Sequence, residues 1–144
     1  MSEPIMLDSG PLGQLAHHQA PPEIMAWYRS VLIARVTLIV PEISDYEVRR
    51  SLILHGRQKS LGILNDFKEL LVYQPITTAA MLRAADLWAD ARRRGRSTAD
   101  PKELDADVIL SAMALETGAI VATENVGHLT RYVTAKHWRQ IKPF

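Results

Sequence analysis

The chain has 144 residues, a formal net charge of +1 and no cysteine. That length fits one domain, residues 1–144, which buries roughly 70% of its unfolded surface and needs no cross-links. The lack of cysteine excludes disulfides, thiolate zinc sites and a cysteine nucleophile, and the near-neutral charge excludes a broadly basic nucleic-acid coat.

The amino terminus carries Glu3 and Asp8 without a basic n-region, so no signal peptide is expected. The most apolar stretch, Val31 to Val40, is interrupted by Arg35 and falls far short of the roughly 20 residues a membrane helix needs. The expectation is a soluble, cytoplasmic protein with no membrane contact.

Ile5 to Leu7 reads as a short buried strand ended by Asp8-Ser9-Gly10-Pro11. A short helix is expected at Leu12 to Ala16, followed by a loop through Pro21-Pro22. Ile24, Trp27, Tyr28 and Val31 fall at helical spacing and predict a helix over Glu23 to Ala34. Val36 to Val40 is rich in β-branched residues and predicts a strand. Pro41 suits the first position of a helix that runs to about His55, before Gly56. Leu61, Leu64 and Phe67 share one face of a further helix over about Lys59 to Leu70. A strand is expected at Leu71 to Gln74.

Thr77 or Thr78 caps a long helix with the stripe Met81, Ala84, Ala85 and Trp88. It ends in Arg92-Arg93-Arg94-Gly95, with cations at the negative end of the helix and glycine at C′. Arg96 to Glu103 reads as a polar loop. Asp105 then caps a helix that Asp107 opens and Gly118 stops. Ala119 to Thr123 predicts a strand, Val126 to Tyr132 a short helix or turn, and Ala135 to Ile141 a last strand. Strands alternating with helices imply an α/β fold with a mostly parallel central sheet flanked by helices on both faces.

The acids fall where elements begin or end. Asp8 and Glu124 follow strands at their carboxyl ends, the edge where open α/β sheets bind ligands. Glu47 lies on the stripe of Ile43, Tyr46, Arg50 and Leu54, where an acid is half-buried and needs a reason. Asp107 precedes the small-residue face Ser111-Ala112, and Asp100 can join from the loop. Each acid also has an ordinary explanation. Asp8-Ser9-Gly10 is good turn chemistry, Glu47 can pair with Arg50 at i,i+3, Asp107 suits a helix dipole, as do Glu42 and Asp45, and Asn125 suits a turn.

Gathered on one edge, such carboxylates repel one another, and a hard divalent cation is the usual remedy. That points to metal-assisted chemistry on a phosphate. The run Arg92 to Arg96 either grips phosphates or is a solvated helix end. Trp88 and Trp138 read as core or interface residues, and His17-His18 lacks metal-ligand spacing. Glycine-rich phosphate loops, HExxH and G-x-S-x-G motifs are absent.

In combination these segments resemble the PIN-domain family, in particular the bacterial VapC-type toxins of type II toxin–antitoxin modules. The resemblance runs from Ile5 to the carboxyl terminus. Met6-Leu7-Asp8-Ser9 is similar to the family's opening strand with its first acid. Glu47, within Pro41 to Arg50, matches the helix acid. Leu104 to Leu115 resembles the D-x-x-I-x-A-x-A-L pattern, with Asp107 as the third acid. Val121 to Leu129 resembles the fourth motif, though many members carry aspartate where Asn125 or His128 stands here.

The resemblance implies a three-layer PIN-like domain and an Mg²⁺-dependent (or Mn²⁺-dependent) endoribonuclease that leaves a 5′-phosphate and a 3′-hydroxyl. Asp8, Glu47 and Asp107 would bind the metal. Ser9 would orient Asp8, and Asn125, Glu124 or His128 would complete the site. Arg50, Arg94 and Arg96 would hold RNA. A cognate antitoxin and a homodimer are implied as partners. Two other readings stay open: a catalytically silent PIN-like domain that binds RNA or protein, and a metal-free nuclease using His17, His18 or His128.

Overall fold

The computed structural model describes residues 2–95 and 101–143. Its strands are β1 (Ile5–Leu7), β2 (Leu38–Pro41), β3 (Val72–Gln74), β4 (Ile120–Thr123) and β5 (Ala135–His137). They form one sheet in the order β3-β2-β1-β4-β5, and every described pairing is parallel. The helices are α1 (Ser9–Ala16), α2 (Pro22–Ile33), α3 (Glu42–Leu54), α4 (Gln58–Leu70), α5 (Thr78–Arg93), α6 (Pro101–Thr117) and α7 (Val126–Leu129). A 3-10 turn, Trp138–Gln140, follows β5. Among the described residues no helix is long and apolar enough to cross a membrane.

The central strands are apolar on both faces, as a parallel sheet covered on both sides requires. Successive side chains alternate between two cores. Ile5, Leu7, Leu38, Val40 and Ala122 join residues of α1, α2 and α4, such as Leu12, Trp27 and Leu64. Met6, Ile39 and Val121 join residues of α5 and α6, such as Ala84 and Met113. Helix α3 belongs to both, through Val48 in the first core and Ile43 in the second. It therefore crosses the carboxyl edge of the sheet, which brings Glu47 towards the strand ends.

From β1 the chain steps to β2 and β3 on one side, then crosses over to β4 and β5 on the other. The direction reverses between β1 and β4. Ligands of open α/β sheets bind in the crevice at such a switch point.

Several boundaries differ from the sequence expectations. Helix α1 begins at Ser9 and not Leu12, because Asp8 serves as its N-cap. Pro41 is the last residue of β2, paired in register with Gln74, and precedes α3 in place of opening it. Helix α6 begins at Pro101, a residue suited to a helix's first turn, so Asp105 is no cap and Asp107 sits in the second turn. The buried face of α5 is Ala80, Ala84 and Ala91, whose small side chains let α6 pack closely, while Met81 and Trp88 stay partly exposed. The last strand stops at His137, whose Nδ1 accepts the Arg139 N–H at 3.1 Å and starts the 3-10 turn.

Other expectations hold. Thr77 caps α5 through its hydroxyl, which accepts the Ala80 N–H at 3.0 Å. Gly95 and Gly118 follow α5 and α6 at φ of 66°, a conformation that only glycine adopts freely. Arg96 and Asp100 lie outside the described residues.

Candidate active site

Asp8 leaves β1 in extended conformation and is mostly buried. Its Oδ1 accepts the Ser9 N–H at 2.8 Å, and its Oδ2 accepts the Thr123 hydroxyl at 2.7 Å. The Asp8 N–H donates to the Ala122 carbonyl at 2.9 Å, continuing the β1–β4 ladder by one residue. Burial raises the Asp8 carboxyl above its usual pKa. The Thr123 and Ser9 hydrogen bonds pull it down, and the nearby Glu124 carboxylate pushes it up again.

Thr123 is the residue that the sequence reading passed over. It is fully buried at the end of β4. Its hydroxyl donates to Asp8 and accepts the Asn125 N–H at 3.0 Å, so one oxygen ties the two strand ends together. The available signal was a β-branched hydroxyl residue at the last position of an otherwise apolar strand.

Glu47 occupies the second turn of α3 and is half-buried. Burial raises its carboxyl first, then the charge of Asp8; Arg50 lowers it, and Asp107 raises it. The expected i,i+3 ion pair with Arg50 is present but long, 4.0 Å, and Arg50 is largely exposed, so it offsets the Glu47 charge only in part. Glu42 and Asp45 on the same helix have other duties. Glu42 accepts the Tyr73 hydroxyl at 3.1 Å and the Ile76 N–H at 2.8 Å, and Asp45 accepts two bonds from Arg49, each 3.0 Å.

Asp8, Glu47 and Asp107, from three separate stretches of chain, line one cavity of about 250 Å³ with Ser9, Thr123, Glu124, Asn125 and His128. Gly10 and Ala106 complete its wall, and Gly10 leaves room there for the Glu124 stem. A Cβ on Gly10 would lie 3.3 Å from Glu124 Cγ. Arg50 lines an adjoining depression that shares Ser9 and Glu47. Arg94 does not line either cavity, because it ends α5 and pairs with Asp90 at 3.2 Å. His17 and His18 stack on each other, ring centroids 4.6 Å apart, and line no part of the acidic cavity.

The donor chemistry fits a hard divalent cation. Carboxylate oxygens face one space, and burial and mutual repulsion raise the two carboxyls that burial affects most, a cost that a cation would remove. The fit is chemical more than preformed. Among the described residues no three acids or histidines already stand close enough to hold one ion, so the other acids would have to turn towards the fixed Asp8 carboxylate.

No protein-family model matches the sequence, and no curated protein matches it. Solved structures do. A chain of VapBC2 from Rickettsia felis, bound to a DNA fragment from its promoter, has a TM-score of 0.76 at 14% identity, over 93% of this chain and 98% of that one. A chain of VapBC-1 from nontypeable Haemophilus influenzae has a TM-score of 0.72 at 19% identity, over 94% and 98%. A chain of FitAcB from Neisseria gonorrhoeae has a TM-score of 0.70 at 21% identity, over 95% and 99%. The fold is PIN-like. The likeness in fold extends over nearly all of this chain and of each of those chains.

Proposed function

We propose that this protein is a divalent-metal-dependent endoribonuclease of the VapC type, the toxin of a type II toxin–antitoxin module. The observation that carries the reading is the convergence of Asp8, Glu47 and Asp107 on one cavity at the switch point of a PIN-like sheet. These three acids would hold Mg²⁺ or Mn²⁺. Such an ion supplies Lewis-acid polarisation of a phosphate and makes a water more acidic.

The chain's own residues do the rest. The Ser9 N–H and Thr123 hydroxyl fix both oxygens of Asp8, so its carboxylate cannot swing away. Glu47, half-buried across the cavity from Asp8, would offer its carboxylate to the ion or to a water held beside it. Arg50, 60% exposed beside Glu47, can meet the phosphate backbone of RNA at the rim. His128 lines the same cavity and can contact substrate. By family resemblance the products carry a 5′-phosphate and a 3′-hydroxyl. The solved relatives are VapBC and FitAB assemblies, which supports a cognate antitoxin as the partner here. Homodimerisation and a cytoplasmic location follow from the same reading.

The test is induced expression without antitoxin, together with RNA cleavage by purified protein in Mg²⁺ and in chelator. Growth arrest by wild type but not by Asp107→Asn, with cleavage abolished by chelation, supports the metal nuclease. Arrest by both proteins favours a silent binding domain, the reading that the uncharged Asn125 keeps in play. Cleavage that survives chelation favours histidine chemistry at His128. Loss of both arrest and cleavage in wild type overturns the nuclease.

A further inference from the structure

Two side chains compete for the position beside Asp8 at the end of β4, Glu124 and Asn125. Asn125 donates its backbone N–H to the Thr123 hydroxyl at 3.0 Å. Glu124 is exposed as a residue, yet its side chain is placed at both ends. Its stem passes over Gly10, in space that a Cβ would fill. Its Oε1 accepts the Trp138 indole N–H at 3.4 Å.

Trp138 is a rigid anchor. It is 2% exposed and packs on Trp27 with ring centroids 5.9 Å apart, and the Trp27 indole is itself fixed by the Ile141 carbonyl at 3.1 Å. A buried indole N–H needs an acceptor, and among the described residues Glu124 is the one it has. The contact is long for a hydrogen bond, and Oε1 can keep it while the other carboxylate oxygen is presented to the cavity. That second oxygen has no hydrogen-bond partner among the described residues and lies on the wall of the acidic cavity.

We propose that Glu124, and not Asn125, supplies the fourth oxygen ligand of the cation, with Trp138 as the positioning residue that steers it. This rests on the metal-site reading above. Gly10 leaves room for the Glu124 stem, and Trp138 holds its carboxylate at the cavity wall.

Mn²⁺ binding to the full chain, measured by titration calorimetry with circular dichroism to confirm folding, tests it. Glu124→Gln should weaken Mn²⁺ binding at least about tenfold more than Asn125→Ala does. Trp138→Phe should weaken it about tenfold in wild type and have no further effect in the Glu124→Gln background. If Trp138→Phe does not fold, tryptophan emission should respond to Mg²⁺ in wild type and lose that response in Glu124→Gln.

Equal losses in Glu124→Gln and Asn125→Ala, or a larger loss in the latter, overturn the proposal. So does a Trp138→Phe loss that persists undiminished without Glu124. A loss in Asp107→Asn with none in Glu124→Gln overturns it too, while leaving the metal site intact. Absence of Mn²⁺ binding in wild type overturns both.

Discussion

Helix α3 carries two kinds of acid within six residues. Glu42 and Asp45 face partners, Glu42 the Tyr73 hydroxyl and the Ile76 N–H, Asp45 the forked guanidinium of Arg49. Glu47, half a turn beyond Asp45, faces other acids, and burial and their charge raise its carboxyl. The first two acids hold the fold together; the third is held in place by it. What separates them is partnership, since all three are carboxylates on one helix. An acid whose charge is left uncompensated costs stability, and such costs persist where a ligand offsets them.

The largest expected effect breaks this comparison by exchanging function against stability. Glu47→Gln should reduce RNA cleavage at least about a hundredfold, the scale on which one group stabilising developing charge acts. Its metal-free melting temperature should not fall. Asp45→Asn should do the reverse. It breaks a largely buried pair whose arginine remains part-exposed, so a loss of about 1–3 kcal/mol is expected, with cleavage retained below the lowered melting temperature. Thermal melts and cleavage assays on both variants decide it. Equal behaviour of the two in both assays would show that the division between closely and weakly paired acids is spurious.

The second effect sharpens it. A cation that binds the native site adds about 2.7 kcal/mol at a hundredfold excess over its dissociation constant. For a chain of this size that raises the melting temperature by several degrees. Wild type and Asp45→Asn should gain equally from Mn²⁺, and Glu47→Gln should gain much less. A shift of the same size in all three proteins would place the ion elsewhere.

Much of this architecture was legible because local and tertiary signals agree. β1 reads directly from Ile5 to Leu7, an apolar run closed by Asp8, and Thr77 and Gly118 mark helix ends by chemistry that depends on few neighbours. Failures came where tertiary packing decides. Trp88 and Met81 look like a core stripe, but the alanines of α5 are the ones pressed against α6. Pro101 falls in a polar run that reads as loop, yet its fixed φ starts a helix. Asp8, Glu47 and Asp107 were conspicuous as acids near element ends. That they line one cavity depends on the crossing from β3 to β4, a strand order that no local pattern encodes. Arg94 looks like a phosphate-binding cation in the sequence, but Asp90, one turn earlier, pairs with it.

The smallest expected effect concerns pH, and its sign is opposite to that of a paired acid. In the metal-free protein the Asp8 and Glu47 carboxyls titrate above their unfolded values, raised first of all by burial. Between the unfolded and folded values the native state binds more protons than the unfolded chain, so stability falls as pH rises through that window. The window opens near about pH 4, where unfolded carboxylates titrate. Above the folded values the deficit is complete and constant; below the unfolded values it is absent. Glu47→Gln removes its share, so the melting-temperature difference between variant and wild type should be near zero in acid and grow in the variant's favour towards neutrality. Saturating Mg²⁺ should abolish that growth, because a bound cation favours the charged carboxylate. Melting curves in chelator and in Mg²⁺ across the acid range read this directly. Parallel curves for the two proteins in chelator would mean that Glu47 is already compensated, and the contrast with Asp45 along helix α3 would vanish.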